Sequence, residues 1–401
     1  MSYGLEGVKV IETASVAAGP MTGRLLADWG ADVIHIDHTI RKAQMQRMRA
    51  NQPRANMNYW AQSTGRNKRG MALNLSTERG REIIVKMLEK ADILLSNFRP
   101  YELEKFRLDY NTLSKINPRI ICANLTGFGS KGPDKDAPAY GPIAGDSRGG
   151  MLYSLMFPGG NPPQMSGTLV DYLTGLTLAC GISTALYSRE KTGVGQLVEA
   201  SLFQTMVFAL SGDIANTLAT GQDRGTVDRR DVARPLTSPY KTKDGRWIYL
   251  WIGMGADQVW PRFCRAIERE DLVADERFST PAQMSQNYLD LYDILDEVFA
   301  SKTLEEWRPR LNAGDFPWSP IQNFIEVTKD PQARANDFFL PLKMPSGETM
   351  EVVANPLKFN RIPDRVITPA PEVGQHTDEI LIEYGYNAED IAKFREEGVI
   401  G

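Results

Sequence analysis

Cysteine and histidine are scarce in this sequence. Its 401 residues hold three of each, and neither type clusters. Cys122, Cys180 and Cys264 stand far apart in apolar surroundings without metal-ligand spacing, so a metal site is not expected and all three read as buried thiols. There is no window of 18 apolar residues, and the opening MSYGLEGVKVIE lacks the charged and apolar regions of an export signal. Neither membrane spanning nor secretion is expected, and a cytoplasmic location follows. No excess of basic charge is present either: the formal net charge is -4, which gives no electrostatic reason to expect a nucleic acid partner.

Hydrophobic residues make up 42% and charged residues 24%, the composition of an ordinary globular chain. The length exceeds what one hydrophobic core usually serves, which predicts two domains or one large domain with an insertion. One local departure stands out. From Arg41 to Arg69 there are eight basic residues (Arg41, Lys42, Arg47, Arg49, Arg54, Arg66, Lys68, Arg69) and no acidic one, a segment suited to phosphate or carboxylate groups or to a solvated loop.

The first hundred residues alternate short β-branched runs with amphipathic stretches, the pattern of βαβ units around a parallel sheet. Strands are expected at Val8 to Glu12, Asp32 to Asp37, Ile93 to Ser96 and Ile120 to Leu125, with helices at Met21 to Trp29, Thr77 to Lys90 and Tyr110 to Ile116. DYLTGLTLACGISTALYS, from Asp171, predicts a buried helix with Asp171 just before it, and a second apolar helix is expected from Ala200 to Thr217. The polar stretch Gly221 to Arg234 reads as a linker, and SPYKTKDGRWIYLWIG as a hairpin opening a small α+β domain. Its helices are expected at Gln258 to Glu268, Met284 to Ala300 and Leu304 to Ala313. The chain then returns through a strand at Met350 to Ala354 and a helix near Asp378 to Tyr384.

Two features carry chemistry. An aspartate at a helix start is most often a cap; it is also an ionised carboxylate that needs no base to act as a nucleophile. The turn Ser15-Val16-Ala17-Ala18-Gly19-Pro20, between a strand and a helix, offers free amides to a phosphate or a ligand backbone. Gly127-Phe128-Gly129-Ser130-Lys131-Gly132 has the spacing of a dinucleotide fingerprint, but Pro133 and a Pro-containing loop follow instead of a helix, so no dinucleotide is expected there.

Several ordered pieces together resemble the class III CoA-transferases, typified by formyl-CoA transferase and carnitine CoA-transferase. They are GLEGVKVIE from Gly4, AAGPMTGRLLADWGADVI from Ala17, NKRGMALNL from Asn67, ADILLSNFRP from Ala91, LTGFGSKGP from Leu125, the Asp171 segment, KTGVGQLVEASL from Lys191 and GQHTDEIL from Gly374. The resemblance implies that the Asp171 carboxylate attacks an acyl-CoA thioester to form a mixed anhydride, and then carries CoA as an aspartyl thioester. It places CoA, a substrate and not a tightly bound cofactor, against Val16, Ala18, Lys68, Asn97, Phe98 and Lys105. Ser15, Ala17 and Tyr140 would line the acid pocket, with Gly253 and Gly255 on a loop that closes over the aspartate and shields the anhydride from water. Lys105 stands where the family often has Arg. Ala17 and Ser15 replace a polar residue and a His of formyl-CoA transferase, and an extra residue falls in Gly141 to Gly150.

These departures point to an acid larger than oxalate, a substituted succinate or a hydroxy acid, with succinyl-CoA or acetyl-CoA as donor. The implied fold is a large Rossmann-like domain (1-220), a small α+β domain (221-325) and a C-terminal return (326-401), two chains forming an interlocked-ring homodimer. Two rival readings remain at this stage. An α-methylacyl-CoA racemase needs an acid/base pair, and Ala137-Pro138-Ala139-Tyr140 lacks the His such enzymes carry there. A non-catalytic CoA-binding subunit of a hetero-oligomer could dispense with Asp171, which is present.

Overall fold

Period-two alternation in the first strands puts one apolar set on each face, which is what a sheet covered on both sides requires. In the computed structural model, which describes residues 3–40, 59–165, 168–253, 259–362 and 366–401, the strands are β1 Lys9–Glu12, β2 Asp32–Asp37, β3 Arg69–Ala72, β4 Ile93–Ser96, β5 Ile121–Thr126 and β6 Leu197–Ser201. They form one sheet in the order β3-β2-β1-β4-β5-β6, every neighbouring pair parallel. This is the strand order of a doubly wound Rossmann-type sheet, whose direction of growth reverses between β1 and β4.

Val10, Val33, Ile93 and Leu95 pack on one face, against the helix Ala18–Asp28 and the long helix Leu169–Thr192. Ile11, Ile34 and Leu94 face the other way, where Ile83, Ile84 and Met87 meet Ile380, Leu381, Ile391 and Phe394 of the two C-terminal helices. The long helix is apolar and long enough to cross a membrane, yet Val170, Leu178, Ile182 and Ala185 lie buried against the sheet.

Some expectations need correction. β3 has only four residues, including Arg69 and Gly70, and carries no apolar run to announce it. The stretch expected to start a helix at Ala200 begins as β6, because Val198 and Ala200 pair beside β5; Ser201 then caps the helix Leu202–Ala209 by accepting from the Gln204 amide at 3.1 Å. The helix expected from Met284 to Ala300 breaks at Asn287 into Pro281–Gln286 and Tyr288–Ala300. Cys180 is exposed, since it sits on the outer side of the long helix, whereas burial pushes the thiols of Cys122 and Cys264 up to about 12.

The chain divides into two compact units: residues 1–154, 163–222 and 336–401 form the larger, and 155–162 with 223–335 the smaller. The smaller holds an antiparallel sheet of β7 Pro239–Lys241, β8 Trp247–Leu250 and β9 Trp318–Pro320. Its core is built on Tyr240, Phe263, Tyr292, Phe299 and Trp307. In the larger unit, β10 Phe339–Lys343 and β11 Thr349–Val353 form a hairpin.

Candidate active site

In a doubly wound sheet, ligands bind beyond the carboxyl ends of the strands where growth reverses. Here that place lies just past Glu12 of β1 and Ser96 of β4. The Asn97 side chain spans it, accepting from the Ser15 amide at 3.0 Å and donating to the Ser15 carbonyl at 2.9 Å. With its peptide fixed on both sides, Ser15 hands over to Val16, whose backbone is left-handed at φ 71° and whose side chain is exposed. A β-branched residue there is strained by about 1–3 kcal/mol, a cost the Asn97 clamp offsets. Ala17 and Ala18 are buried as the first helix begins, and a Cβ on Gly19 would fall 2.2 Å from that of Ala14. Phe98 follows with its ring 5.4 Å from that of Phe106, and the Lys105 ammonium lies 5.6 Å over the Phe106 ring.

The first helix is welded to the long helix. Gly175 approaches so closely that an added Cβ would lie 2.9 Å from the Ala18 carbonyl oxygen, and the Thr22 hydroxyl bridges the carbonyls of Ala18 and Gly175 at 3.0 and 3.2 Å. One turn before Gly175 stands Asp171, so the switch-point loop and this carboxylate belong to one rigid arrangement.

Asp171 is not the cap. Thr168 occupies the N-cap position and Asp171 is the third residue of the 24-residue helix, where the helix dipole still favours a negative charge. The carboxylate is buried, and among the described residues no donor or cation pairs with it. Burial first, and the nearby carboxyl of Asp146 second, push its pKa up from 3.8 to about 6. At neutral pH it is still mostly ionised.

What packs on Asp171 is a π-helical turn, Pro142–Ser147. The glycines make the approach possible. A Cβ on Gly141 would lie 2.5 Å from Asp171 Oδ2, and one on Gly145 would lie 2.5 Å from Val170 Cγ2. Asp146 hangs from this turn, buried, with Oδ1 unpartnered. Sequence reasoning missed it; its only signal was an acid set among glycines in GPIAGDSRGG. Gly141 has ordinary helical φ and ψ, so Gly141→Ala strains no backbone. It is expected to fold with little loss and to cut transfer by about ten- to a hundredfold by turning the carboxylate aside, as read from steady-state rates beside a thermal melt.

Other expected site residues fall elsewhere. Tyr140, beside Gly141, is exposed. Gly253 ends the β8 arm of the smaller unit in a left-handed conformation, φ 72°. Gly255 lies outside the described residues, as do Arg41, Lys42, Arg47, Arg49 and Arg54 of the basic segment.

The basic residues of that segment that are described serve the fold. Lys68, expected at the nucleotide end of CoA, is turned inward: its ammonium sits 2.7 Å from Glu12 Oε2 and donates to the Pro20 carbonyl at 2.8 Å, with 1% of the side chain exposed. Arg66 pairs with Asp28 at 2.9 Å, and Arg69 with Asp32 and Glu383. His35 joins the same interior cluster; burial opposes its charge, but Glu12 and Asp37 overcome it and hold the imidazole up at about 9. His38 Nδ1 accepts from the Ile40 amide and His376 Nδ1 from the Gly70 amide, so all three histidines have partners away from Asp171.

A Rossmann-type sheet with a strand-to-helix turn at its switch point, fixed to a buried carboxylate, is the setting of an α/β enzyme. The chain belongs to CoA-transferase family III, whose model matches residues 5–377. It is 35% identical to (R)-2-hydroxy-4-methylpentanoate CoA-transferase of Clostridioides difficile over 99% of each chain. It is 34% identical to cinnamoyl-CoA:phenyllactate CoA-transferase of Clostridium sporogenes, over 98% of this chain and 96% of that one. A CAIB/BAIF family protein from Brucella suis shares its fold with a TM-score of 0.81 at 27% identity, covering 96% of this chain and 100% of that one. The protein is an acyl-CoA:carboxylate CoA-transferase, and CoA is carried as substrate.

Proposed function

We propose that this enzyme moves CoA from an acyl-CoA donor to a 2-hydroxy acid bearing an apolar substituent, through covalent intermediates on Asp171. The observation that carries the mechanism is an ionisable carboxylate, buried without a cation or a donor among the described residues, on the helix fused to the switch-point turn. A carboxylate so placed is poorly solvated and needs no base. Its oxygen adds to the thioester carbonyl, the C–S bond breaks, and the CoA thiolate leaves with the electron pair, giving a mixed anhydride. The thiolate then adds to the aspartyl carbonyl and releases the donor acid. The acceptor carboxylate reverses both steps, so no net proton is exchanged.

CoA would lie along Val16 and Ala18, past Asn97, Phe98 and Lys105, with the acid near Ser15, Ala17 and Tyr140. Two relatives named for acids with a 2-hydroxyl and an apolar branch support that acceptor class over a substituted succinate. A racemase needs a second acid/base group at the α-carbon, and the partners of His35, His38 and His376 leave none of them beside Asp171. The family resemblance further implies a homodimer, and the purified chain alone is expected to be active.

A screen of acids with succinyl-CoA, acetyl-CoA and cinnamoyl-CoA as donors tests the substrate. Branched or aromatic 2-hydroxy acids are expected to exceed formate and oxalate in kcat/KM by at least about tenfold. A preference for formate or oxalate would overturn the assignment.

A further inference from the structure

The mechanism above uses one carboxylate, yet the site holds two. Asp146 is 1% exposed, its Oδ1 has no hydrogen-bond partner, and its turn is pressed onto the first turn of the long helix through Gly141 and Gly145. Leaving a buried carboxyl oxygen unpartnered is costly, and a fold keeps such a group only where its neighbours over-determine it.

Among the described residues no cation serves the pair. Arg148, next to Ser147, is bonded to Asp134 at 2.6 Å and lies over the rings of Phe128 and Phe203. Arg24, on the first helix, is held by Asp28 at 3.2 Å. The helix Leu202–Ala209, packed against the turn, has no ionisable side chain. Tyr172 follows Asp171 and exchanges a hydrogen bond with Ser63 at 3.3 Å, and Tyr153 lies on the short helix after the turn. Asp146 and Asp171 therefore stand on a turn and a helix that pack together, two acids without a counter-ion among the described residues.

We propose that Asp146 is a positioning residue for Asp171, acting by like-charge repulsion that strengthens the nucleophile and is relieved when Asp171 is acylated. The inference rests on Asp171 being the nucleophile. On attack the negative charge leaves Asp171 for the departing thiolate sulfur, so a nearby fixed acid raises the starting carboxylate in energy more than the product.

The test labels the full-length chain with aspartate carrying 13C at the carboxyl carbon and follows both signals with pH; Asp171→Asn and Asp146→Asn assign them. In the native protein each carboxyl is expected to report the other's titration as a second step. In D146N the Asp171 midpoint, near 6 in the native chain, falls but stays above the ordinary carboxylate range, because burial persists. D146E restores it. Hydroxamate formation at Asp171 from succinyl-CoA and hydroxylamine slows by about five- to tenfold in D146N. Single, independent titrations in the native chain, or an unmoved midpoint in a folded D146N, overturn the inference even if D171N is inactive. If D171N still transfers CoA, the nucleophile assignment fails instead, whatever the titrations show. Should D146N not fold, the native titration alone decides.

Discussion

Replacing Asp171 with alanine is expected to abolish CoA transfer, by at least about a thousandfold in kcat, because in the proposed mechanism its carboxylate carries the covalent intermediate. The same position makes the opposite prediction for stability. The carboxyl is protonated more easily in the fold than in the unfolded chain, from 3.8 up to about 6. Its folded pKa is raised, so below 3.8 both states hold the proton and nothing is lost. As pH rises through this window the unfolded chain releases its proton first, and above about 6 the full cost is present. Discounted for the solvent that reaches the group, that cost is of order 1–2 kcal/mol. Asp171→Asn is therefore expected to melt higher than the native protein by a few degrees at pH 7 to 8, with the difference vanishing towards pH 4. A helix cap would behave in the reverse way, with removal lowering stability and sparing activity.

The second large effect concerns Lys68. Lys68→Met leaves Glu12 buried at the end of β1 with, among the described residues, only His35 to balance it, a loss of about 3–5 kcal/mol for breaking one side of a buried ion pair. The melting temperature should fall on the order of 10 °C, while the KM for the acyl-CoA stays within about twofold in the fraction that remains folded. An unchanged melt with a KM raised tenfold or more would place the ammonium on the nucleotide instead.

Lys68 also shows where sequence reading stops. The basic segment looked like a ligand surface because charge is visible in one dimension, whereas Glu12, Asp28 and Asp32, which neutralise its described members, lie a strand or a helix away. Pairing of that kind is a property of the sheet order. The strands themselves were legible: Asp32 to Asp37 and Ile93 to Ser96 emerge with the bounds their β-branched runs suggest. β3 escaped because four residues with an arginine and a glycine carry no period. The switch-point turn was legible as small residues between a strand and a helix, but its anchoring by Asn97, 82 residues from Ser15, was not.

Asp171 was singled out by the family resemblance, and its helix, expected to start just after it, starts at Leu169, because Thr168 is a weaker start signal than an aspartate. The π-helical turn had no signal of its own in the sequence. A stretch of glycines, a proline and an acid has no helical or strand period, and what it builds depends on Val170 and Asp171 pressing against it from 25 residues away. Asp146 was invisible for the same reason.

The measurement that bears most directly on the account is mass spectrometry of the protein after incubation with acyl-CoA and hydroxylamine. An aspartyl anhydride or thioester is converted to a hydroxamate, and the account places that modification on the peptide containing Asp171, dependent on the acyl-CoA and missing from Asp171→Ala. Transfer that proceeds at full rate with Asp171 unmodified, or with the hydroxamate on another side chain, would contradict it.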